Sequence, residues 1–155
     1  MNQNMLSFGK RINFKFIPLE KSMIHFLTTI QKKSFNCGKE EKQFFYCLLC
    51  GEKLCDNTSC IPKEDNQNND ISYVYHSRIC NYGNVAYIIG NGKVIFLYHG
   101  KIVYINNGIY LNQFGEEPLQ YVITNDYLLV EKEYEKCQNI FIDFSYRSLQ
   151  VSQYQ

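Results

Sequence analysis

The chain has 155 residues, a formal charge of +1, seven cysteines and 45% hydrophobic residues. This length suits one domain with its own core, because domains usually contain roughly 100–200 residues. The balance of 16 Lys and Arg against 15 Asp and Glu gives no long-range field that would attract nucleic acid or an anionic membrane. We therefore expect neither of these partners, and we do not expect a multidomain enzyme.

The first 11 residues are mostly polar and lack the apolar segment of a signal peptide. No stretch approaches the roughly 18 apolar residues of a membrane-spanning helix. These features predict a soluble protein of the cytoplasm or the nucleus. Cysteines in such a reducing compartment bind metal more often than they form disulfides, and an odd count fits a disulfide framework poorly.

The N-terminal part of the sequence predicts a strand followed by a helix. Apolar and polar residues alternate over 12–17, which indicates a short strand that ends at Pro18. Met23, Leu27 and Ile30 then recur at helical spacing within 19–33, which predicts an amphipathic helix. The simplest interpretation of this helix is that it covers the core.

The central and C-terminal parts predict a loop, a β-meander, a helix and a final strand. The acidic and amide-rich run 64–70 has nothing to bury and indicates a solvated loop. Three segments rich in β-branched and aromatic residues are separated by glycine turns at 90–92 and 99–100, which predicts a three-stranded antiparallel meander; the segments are 85–89, 93–98 and 102–105.

The last helix is expected to begin near Asn125 or Asp126, with Tyr127, Val130, Tyr134 and Cys137 on one stripe. Residues 140–144 are expected to return as a strand. Cys137 is then most simply a core residue, since cysteine is often buried.

Cysteine and histidine spacing between residues 47 and 80 predicts a metal site. A Cys-x2-Cys pair, Cys47 and Cys50, is followed by a His-x3-Cys pair, His76 and Cys80. Two thiolates on one turn and two further ligands on another segment can complete a tetrahedron around Zn²⁺. Four protein ligands favour a structural zinc ion, because a catalytic ion keeps an open position.

Two other cysteines in the same window leave the ligand set open. Cys55 or Cys60 could replace one of the four, or both could be buried free thiols. A zinc hydrolase or deaminase is disfavoured, because the sequence lacks both His-Glu-x-x-His and His-x-Glu followed by Pro-Cys-x-x-Cys.

These residues resemble a known family. The string Cys47-Leu48-Leu49-Cys50-Gly51-Glu52-Lys53-Leu54-Cys55, then Cys60, then His76-Ser77-Arg78-Ile79-Cys80 is similar to the C-terminal zinc-binding region of UBR-type E3 ubiquitin ligases, the N-recognins. The similarity continues through Gly83 into Val85-Ala86-Tyr87-Ile88 and recurs at Tyr110-Leu111-Asn112-Gln113-Phe114-Gly115-Glu116. Phe16-Ile17-Pro18-Leu19 and Cys37 also fit it. It covers about residues 12–145, which leaves polar tails at 1–11 and 146–155.

The sequence departs from the family pattern at two places. The family commonly has a Cys-Cys pair where this chain has Cys60-Ile61, and an arginine-glycine stretch where this chain has Ile123-Thr124. The first departure weakens Cys60 as a required ligand. The second removes any contact that the family's arginine would make.

The predicted elements and the metal site indicate an α+β fold, namely a small zinc-stabilised domain with a three-stranded meander and two flanking helices. The resemblance implies a role inside an E3 ligase, with the other domains of that ligase as direct partners and the E2 and ubiquitin machinery as indirect ones. A RING needs two zinc sites, hence about eight ligands, and this chain has one Cys-x2-Cys motif. We therefore expect no catalysis by this chain alone. The alternative is a stand-alone zinc-stabilised interaction module unrelated to ubiquitin.

Overall fold

The protein has an α+β fold. The computed structural model describes residues 15–35, 43–56, 61, 64–118 and 126–153. Three helices lie in this part of the chain: α1 (Met23–Lys32), α2 (Ser72–Asn81) and α3 (Glu131–Gln153). None of its helices is long and apolar enough to cross a membrane.

Five strands form one antiparallel sheet in the order β2-β1-β3-β4-β5, and two more form a small separate sheet. The strands are β1 (Phe45–Cys47), β2 (Lys53–Leu54), β3 (Asn84–Ile89), β4 (Val94–Tyr98), β5 (Lys101–Asn106), β6 (Tyr110–Leu111) and β7 (Leu128–Leu129). The predicted meander is confirmed as β3, β4 and β5. The hairpin of β1 and β2 extends it beyond the three strands expected.

The turn between β4 and β5 shows why the meander could be read from the sequence. Tyr98 pairs with Lys101, so only His99 and Gly100 form the loop. Both have positive φ, at 49° and 85°. This is the pattern of a two-residue type I′ turn, whose twist matches that of the flanking strands.

Helix α2 covers one face of the sheet. The ring of Tyr73 stacks on Phe45 of β1, with ring centroids 3.9 Å apart. The hydroxyl of Tyr87 on β3 donates a hydrogen bond to the Tyr73 carbonyl at 2.5 Å. Tyr87 itself is fully buried. These contacts fix α2 over β1 and β3.

Helices α1 and α3 cover the opposite face. Phe26 of α1 meets Tyr46 of β1 edge to face, at 5.7 Å between centroids. Phe141 of α3 meets Phe96 of β4 in the same manner at 5.2 Å. Both faces of the central strands are therefore buried, which explains why β3 and β4 are apolar almost throughout.

Residues 15–20 form an extended segment without strand pairing, so the strand predicted over 12–17 is absent from its described part. Positions 12–14 lie outside the described residues. The Phe16 N–H donates to the Gln138 side chain at 2.7 Å, and the Tyr134 hydroxyl donates to the Ile17 carbonyl at 2.6 Å. The Ile17 N–H also donates to the carbonyl of Leu48, directly after β1, at 2.7 Å. The segment is thus fixed both to α3 and to the end of β1, without forming a strand.

The first helix begins later than predicted. Ser22 is its N-cap, and its hydroxyl accepts from the His25 N–H at 3.5 Å. The preceding Leu19 lies in the extended segment, so the predicted range 19–33 is four residues too long at its start. The predicted apolar residues Met23 and Ile30 are buried as expected.

The strand predicted at 140–144 is wrong, because these residues lie inside α3. Buried side chains recur along this helix at three- and four-residue spacing: Tyr134, Cys137, Phe141 and Ser145. The helix begins at Glu131, after the start predicted near Asn125 or Asp126. Asn125 lies outside the described residues, while Tyr127 and Val130 precede the helix and flank β7.

The acidic run 64–70 forms turns at the surface. The Asn66 side chain donates to the Asp70 carbonyl and accepts from the Asp70 N–H, both at 2.8 Å. The predicted loop is thus confirmed, and its second half is closed by this pair of hydrogen bonds.

Candidate metal centre

The first pair of candidate ligands lies on the turn between β1 and β2. Strand β1 ends at Cys47, whose N–H donates to the Glu52 carbonyl at 2.9 Å. The Gly51 N–H donates back to the Cys47 carbonyl at 2.8 Å. Gly51 has φ of +78°, and an added Cβ would lie 3.3 Å from the Tyr46 hydroxyl oxygen. Glycine after Cys50 therefore allows the tight turn that brings both thiols to one side.

The second pair lies on α2. His76 and Cys80 are four residues apart, so their side chains project from the same face one turn apart. The helix ends at Asn81, and its C-cap, Tyr82, has a left-handed φ of 56°. The Gly83 N–H then donates to the Ser77 carbonyl at 2.9 Å, which closes the end of the helix.

The structure brings all four predicted residues together. The ligand atoms of Cys47, Cys50, His76 and Cys80 all lie within 4.8 Å of one another. The Cys50 sulfur is 3.4 Å from Nε2 of His76. Ligands of a tetrahedral zinc ion are about 3.3–3.8 Å apart, given metal–ligand distances of about 2.0–2.3 Å. The four side chains thus form a compact group that can enclose one ion.

A fifth residue, which sequence reasoning missed, orients the histidine. Oε2 of Glu52 lies 3.1 Å from Nδ1 of His76. A proton held on Nδ1 by this carboxylate leaves Nε2, the nitrogen nearest Cys50, free to bind metal. Glu52 follows the Cys-x2-Cys-Gly turn directly, so its position in the sequence was the available signal.

The electrostatics of the group reflect this crowding. Hydrogen bonds with the sulfurs of Cys50 and Cys80, together with burial, raise the pKa of Cys47. The hydrogen bond from Cys47, followed by that with Cys80, lowers the pKa of Cys50. Burial lowers the pKa of His76, but contacts with the Cys50 and Cys80 sulfurs outweigh burial and raise it to about 9. A divalent cation would replace the protons that these groups share.

The other cysteines lie apart from this group or outside the described residues. Cys55 is fully buried and is not part of the cluster of four. Cys60 and Cys37 lie outside the described residues. Cys137 lies on α3, where burial raises its pKa to about 11. Its predicted place in the core is confirmed.

The second sequence motif, Tyr110 to Glu116, forms an ordered turn after β6. Tyr110 is fully buried, and its hydroxyl donates to the Glu20 carbonyl at 2.6 Å. The Asn112 side chain accepts from the N–H groups of Phe114 and Glu116, each at 2.9 Å. The turn is therefore held to the rest of the domain through Tyr110, while Phe114 is 74% exposed to solvent.

The fold and the site define an α+β domain with a group of three cysteines and one histidine at a sheet edge. Residues 3–143 match the family described as Proteolysis_6 C-terminal, and the chain belongs to this family. This family corresponds to the C-terminal region of UBR-type ligases, so the resemblance drawn from the sequence is confirmed.

A curated relative supports the same assignment. The chain is 29% identical over 87 residues to the E3 ubiquitin-protein ligase ubr3 of Danio rerio. The match covers 56% of this chain but only 4% of that relative's length. No solved structure matches the chain.

Proposed function

We propose that this chain is the zinc-binding, structural C-terminal region of a UBR-type E3 ubiquitin ligase of the N-degron pathway, acting in the cytoplasm or the nucleus. The observation that carries the proposal is the group of four ligand atoms within 4.8 Å, in a chain of the Proteolysis_6 C-terminal family. On the boundaries expected from the sequence, the domain comprises residues 12–145 between polar tails.

Zinc is the metal that suits these donors. Thiolate sulfur and imidazole nitrogen bind Zn²⁺ well, whereas Ca²⁺ and Mg²⁺ prefer oxygen ligands. Cys47, Cys50, His76 and Cys80 would fill all four corners of a tetrahedron. The ion would then have no position for a reactive water, so its role would be structural.

The proposed ion would join two separate parts of the fold. Cys47 and Cys50 belong to the β1–β2 turn, and His76 and Cys80 belong to α2. A bound ion would fix the helix at the edge of the sheet, which supplements the stacking of Tyr73. Ubiquitin transfer would be carried out elsewhere in the ligase.

We expect the purified chain to contain about one zinc ion per molecule, because the four donors form one site. Inductively coupled plasma mass spectrometry, combined with a protein concentration from amino-acid analysis, measures this ratio. Native mass spectrometry of the same sample checks that one ion travels with each chain. A fully folded chain without metal would contradict the zinc assignment.

We propose that the turn from Tyr110 to Glu116 docks onto another domain of the ligase polypeptide. Phe114 is an aromatic residue with most of its surface exposed, on a turn held by hydrogen bonds of Asn112. Aromatic residues at rigid positions contribute large contact areas to interfaces. The length of the curated relative supports the presence of such a neighbour.

The docking role can be tested after the reading frame upstream of the Met1 codon is sequenced. We expect it to encode a UBR box and a RING, and we expect that upstream part to co-purify with this domain when the two are co-expressed. Replacing Phe114→Ser should weaken co-purification about tenfold, the equivalent of a modest hot spot of about 1.4 kcal/mol. Unfolding temperatures should be unchanged.

Val103→Ser is the matched control, because Val103 is a half-exposed aliphatic residue on β5. It should leave co-purification intact. An upstream frame without either zinc domain, or equal recovery of the Phe114→Ser and wild-type chains, would refute the docking role.

A further inference from the structure

A groove opens beside the candidate metal centre. Its volume is about 450 Å³, and its walls are formed by Cys50, Glu52, Ser72, Tyr75, His76, Ile79 and Cys80. One water molecule occupies about 30 Å³ of liquid, and a metal ion needs no more. The groove therefore has room for a guest in addition to an ion at the cluster.

Two side chains of α2 give the groove an apolar wall. Tyr75 and Ile79 are four residues apart and project from the same face of the helix. Ile79 is 48% exposed, so its side chain is accessible to a guest in the groove. An aromatic ring beside an aliphatic side chain suits a guest with a hydrocarbon stem.

A buried hydroxyl at the groove wall lacks a partner. Ser72 is 1% exposed, and its Oγ has no hydrogen-bond partner among the described residues. Buried polar groups are normally paired, so an unpaired hydroxyl calls for an explanation. A serine Oγ can change rotamer and accept a hydrogen bond from a donor that enters the groove.

The charged and polar groups of the groove favour a cationic guest. Its lining contains no Lys or Arg, and it contains the Glu52 carboxylate, which is 46% exposed and whose Oε2 lies 3.1 Å from Nδ1 of His76. Two cations adjoin lining residues in the sequence, and both are engaged elsewhere. Arg78 is paired with Asp70 at 2.8 Å, and Nζ of Lys53 donates to the Lys33 carbonyl at 3.1 Å. The sulfurs at the base are hydrogen-bond acceptors. The groove thus offers acceptors and negative charge to a guest that donates.

We propose that this groove binds the arginine side chain of a partner protein segment. The guanidinium plane stacks on Tyr75, its stem packs on Ile79, and its N–H groups donate to Glu52 and to the Ser72 hydroxyl. Arginine fits better than lysine, because its planar group stacks on aromatic rings and presents several N–H donors in fixed directions, which can reach Glu52 and Ser72 at the same time.

This binding role goes beyond the structural role proposed above. Three thiolates on a divalent zinc ion would leave the centre with a net negative charge and would strengthen the attraction. That contribution depends on the zinc assignment, and so does the charge that Glu52 offers beside the ligand His76. The apolar wall and the unpaired hydroxyl do not depend on it.

The test is an NMR titration of the full chain, prepared with zinc, using two matched peptides. Acetyl-Gly-Arg-Gly-amide is the probe, and acetyl-Gly-citrulline-Gly-amide has nearly the same shape without the charge. We expect a dissociation constant of about 1 mM for the arginine peptide and binding at least about tenfold weaker for citrulline. Amide shifts should concentrate at Ser72, Tyr75 and Ile79.

Two variants distinguish a loss of arginine binding from a loss of folding. Ser72→Ala removes the acceptor, and Tyr75→Leu removes the ring but keeps an apolar wall. Each should weaken arginine binding about tenfold, while zinc content and the unfolding midpoint stay at the wild-type values. Glu135→Gln is the control for charge, because Glu135 is an exposed carboxylate on α3 that lines a different surface depression. It should bind the peptide like the wild type.

Equal affinity for the arginine and citrulline peptides would overturn the proposal. So would shifts located elsewhere, wild-type affinity in both variants, or no response up to about 10 mM peptide. Metal analysis of the same sample separates this result from the proposed function. A folded, zinc-free chain that still selects arginine would contradict the zinc site and support the groove.

Discussion

Replacing Cys47→Ser is expected to abolish zinc binding and to unfold the domain. Cys47 is fully buried and contributes one of the four candidate ligands. Structural zinc sites contribute about 10–16 kcal/mol of apparent binding free energy, which matches or exceeds the total stability of about 5–15 kcal/mol for a typical domain. Metal analysis, far-ultraviolet circular dichroism and chelator titration of the purified variant measure this loss.

The control is Cys55→Ala, which removes another fully buried cysteine of the same window. Because Cys55 is outside the cluster, this variant should keep one zinc ion and lose only about 1 kcal/mol of stability, as ordinary core substitutions do. If Cys55→Ala lost zinc and Cys47→Ser kept it, the ligand set would have to be reassigned. Addition of a strong chelator should unfold the wild type and the Cys55→Ala chain alike.

Replacing Phe141→Ala is expected to destabilise the domain by about 3–5 kcal/mol, the usual cost of deleting a buried aromatic ring. Phe141 is fully buried between Phe96 of the sheet and Phe16 of the N-terminal segment, at centroid distances of 5.2 and 5.5 Å. Its removal leaves a cavity where three parts of the chain meet. Urea denaturation of the zinc-loaded protein gives the free energy of unfolding.

Glu135→Ala serves as the reference for this measurement, because Glu135 is exposed on the same helix. Its effect should stay within about 0.5 kcal/mol. A double-mutant cycle with Phe16→Ala should show a coupling of about 0.5–1.5 kcal/mol, as expected for aromatic pairs. A cost for Phe141→Ala as small as that of the reference would show that α3 does not pack on the sheet as described.

The candidate site could be predicted because its ligands occur as two pairs, each with a short sequence spacing that is typical of metal-binding residues. Cys-x2-Cys and His-x3-Cys each fix two ligands locally, and the pairing of the two motifs required only that they meet in space. Glu52 was not predicted, because its role depends on a contact with His76 across 24 residues of sequence. The position of Glu52 directly after the Cys-x2-Cys-Gly turn places it near the first ligand pair, but it does not identify His76 as its partner.

Helix α2 shows why part of the fold was not predictable. Its sequence, from Ser72 to Asn81, is rich in tyrosine and β-branched residues, and its N-cap makes no side-chain hydrogen bond. Local propensity therefore favours a strand, whereas packing of Tyr73 on Phe45 stabilises the helix. The strand predicted over 140–144 was wrong for a related reason. A short apolar run fits a strand and a buried helix equally well, so only the packing of the whole chain decides between them.

The position of residues 15–20 has a consequence for the way the domain is made. The Phe16 N–H is bonded to Gln138, which follows it by 122 residues. At about 5–20 residues per second, a ribosome needs on the order of ten seconds to synthesise the chain between them. During that interval the aromatic face of the sheet has no cover from α3. The domain should therefore complete its core only as synthesis of α3 finishes, and chaperones that bind exposed aromatic segments should meet it before then.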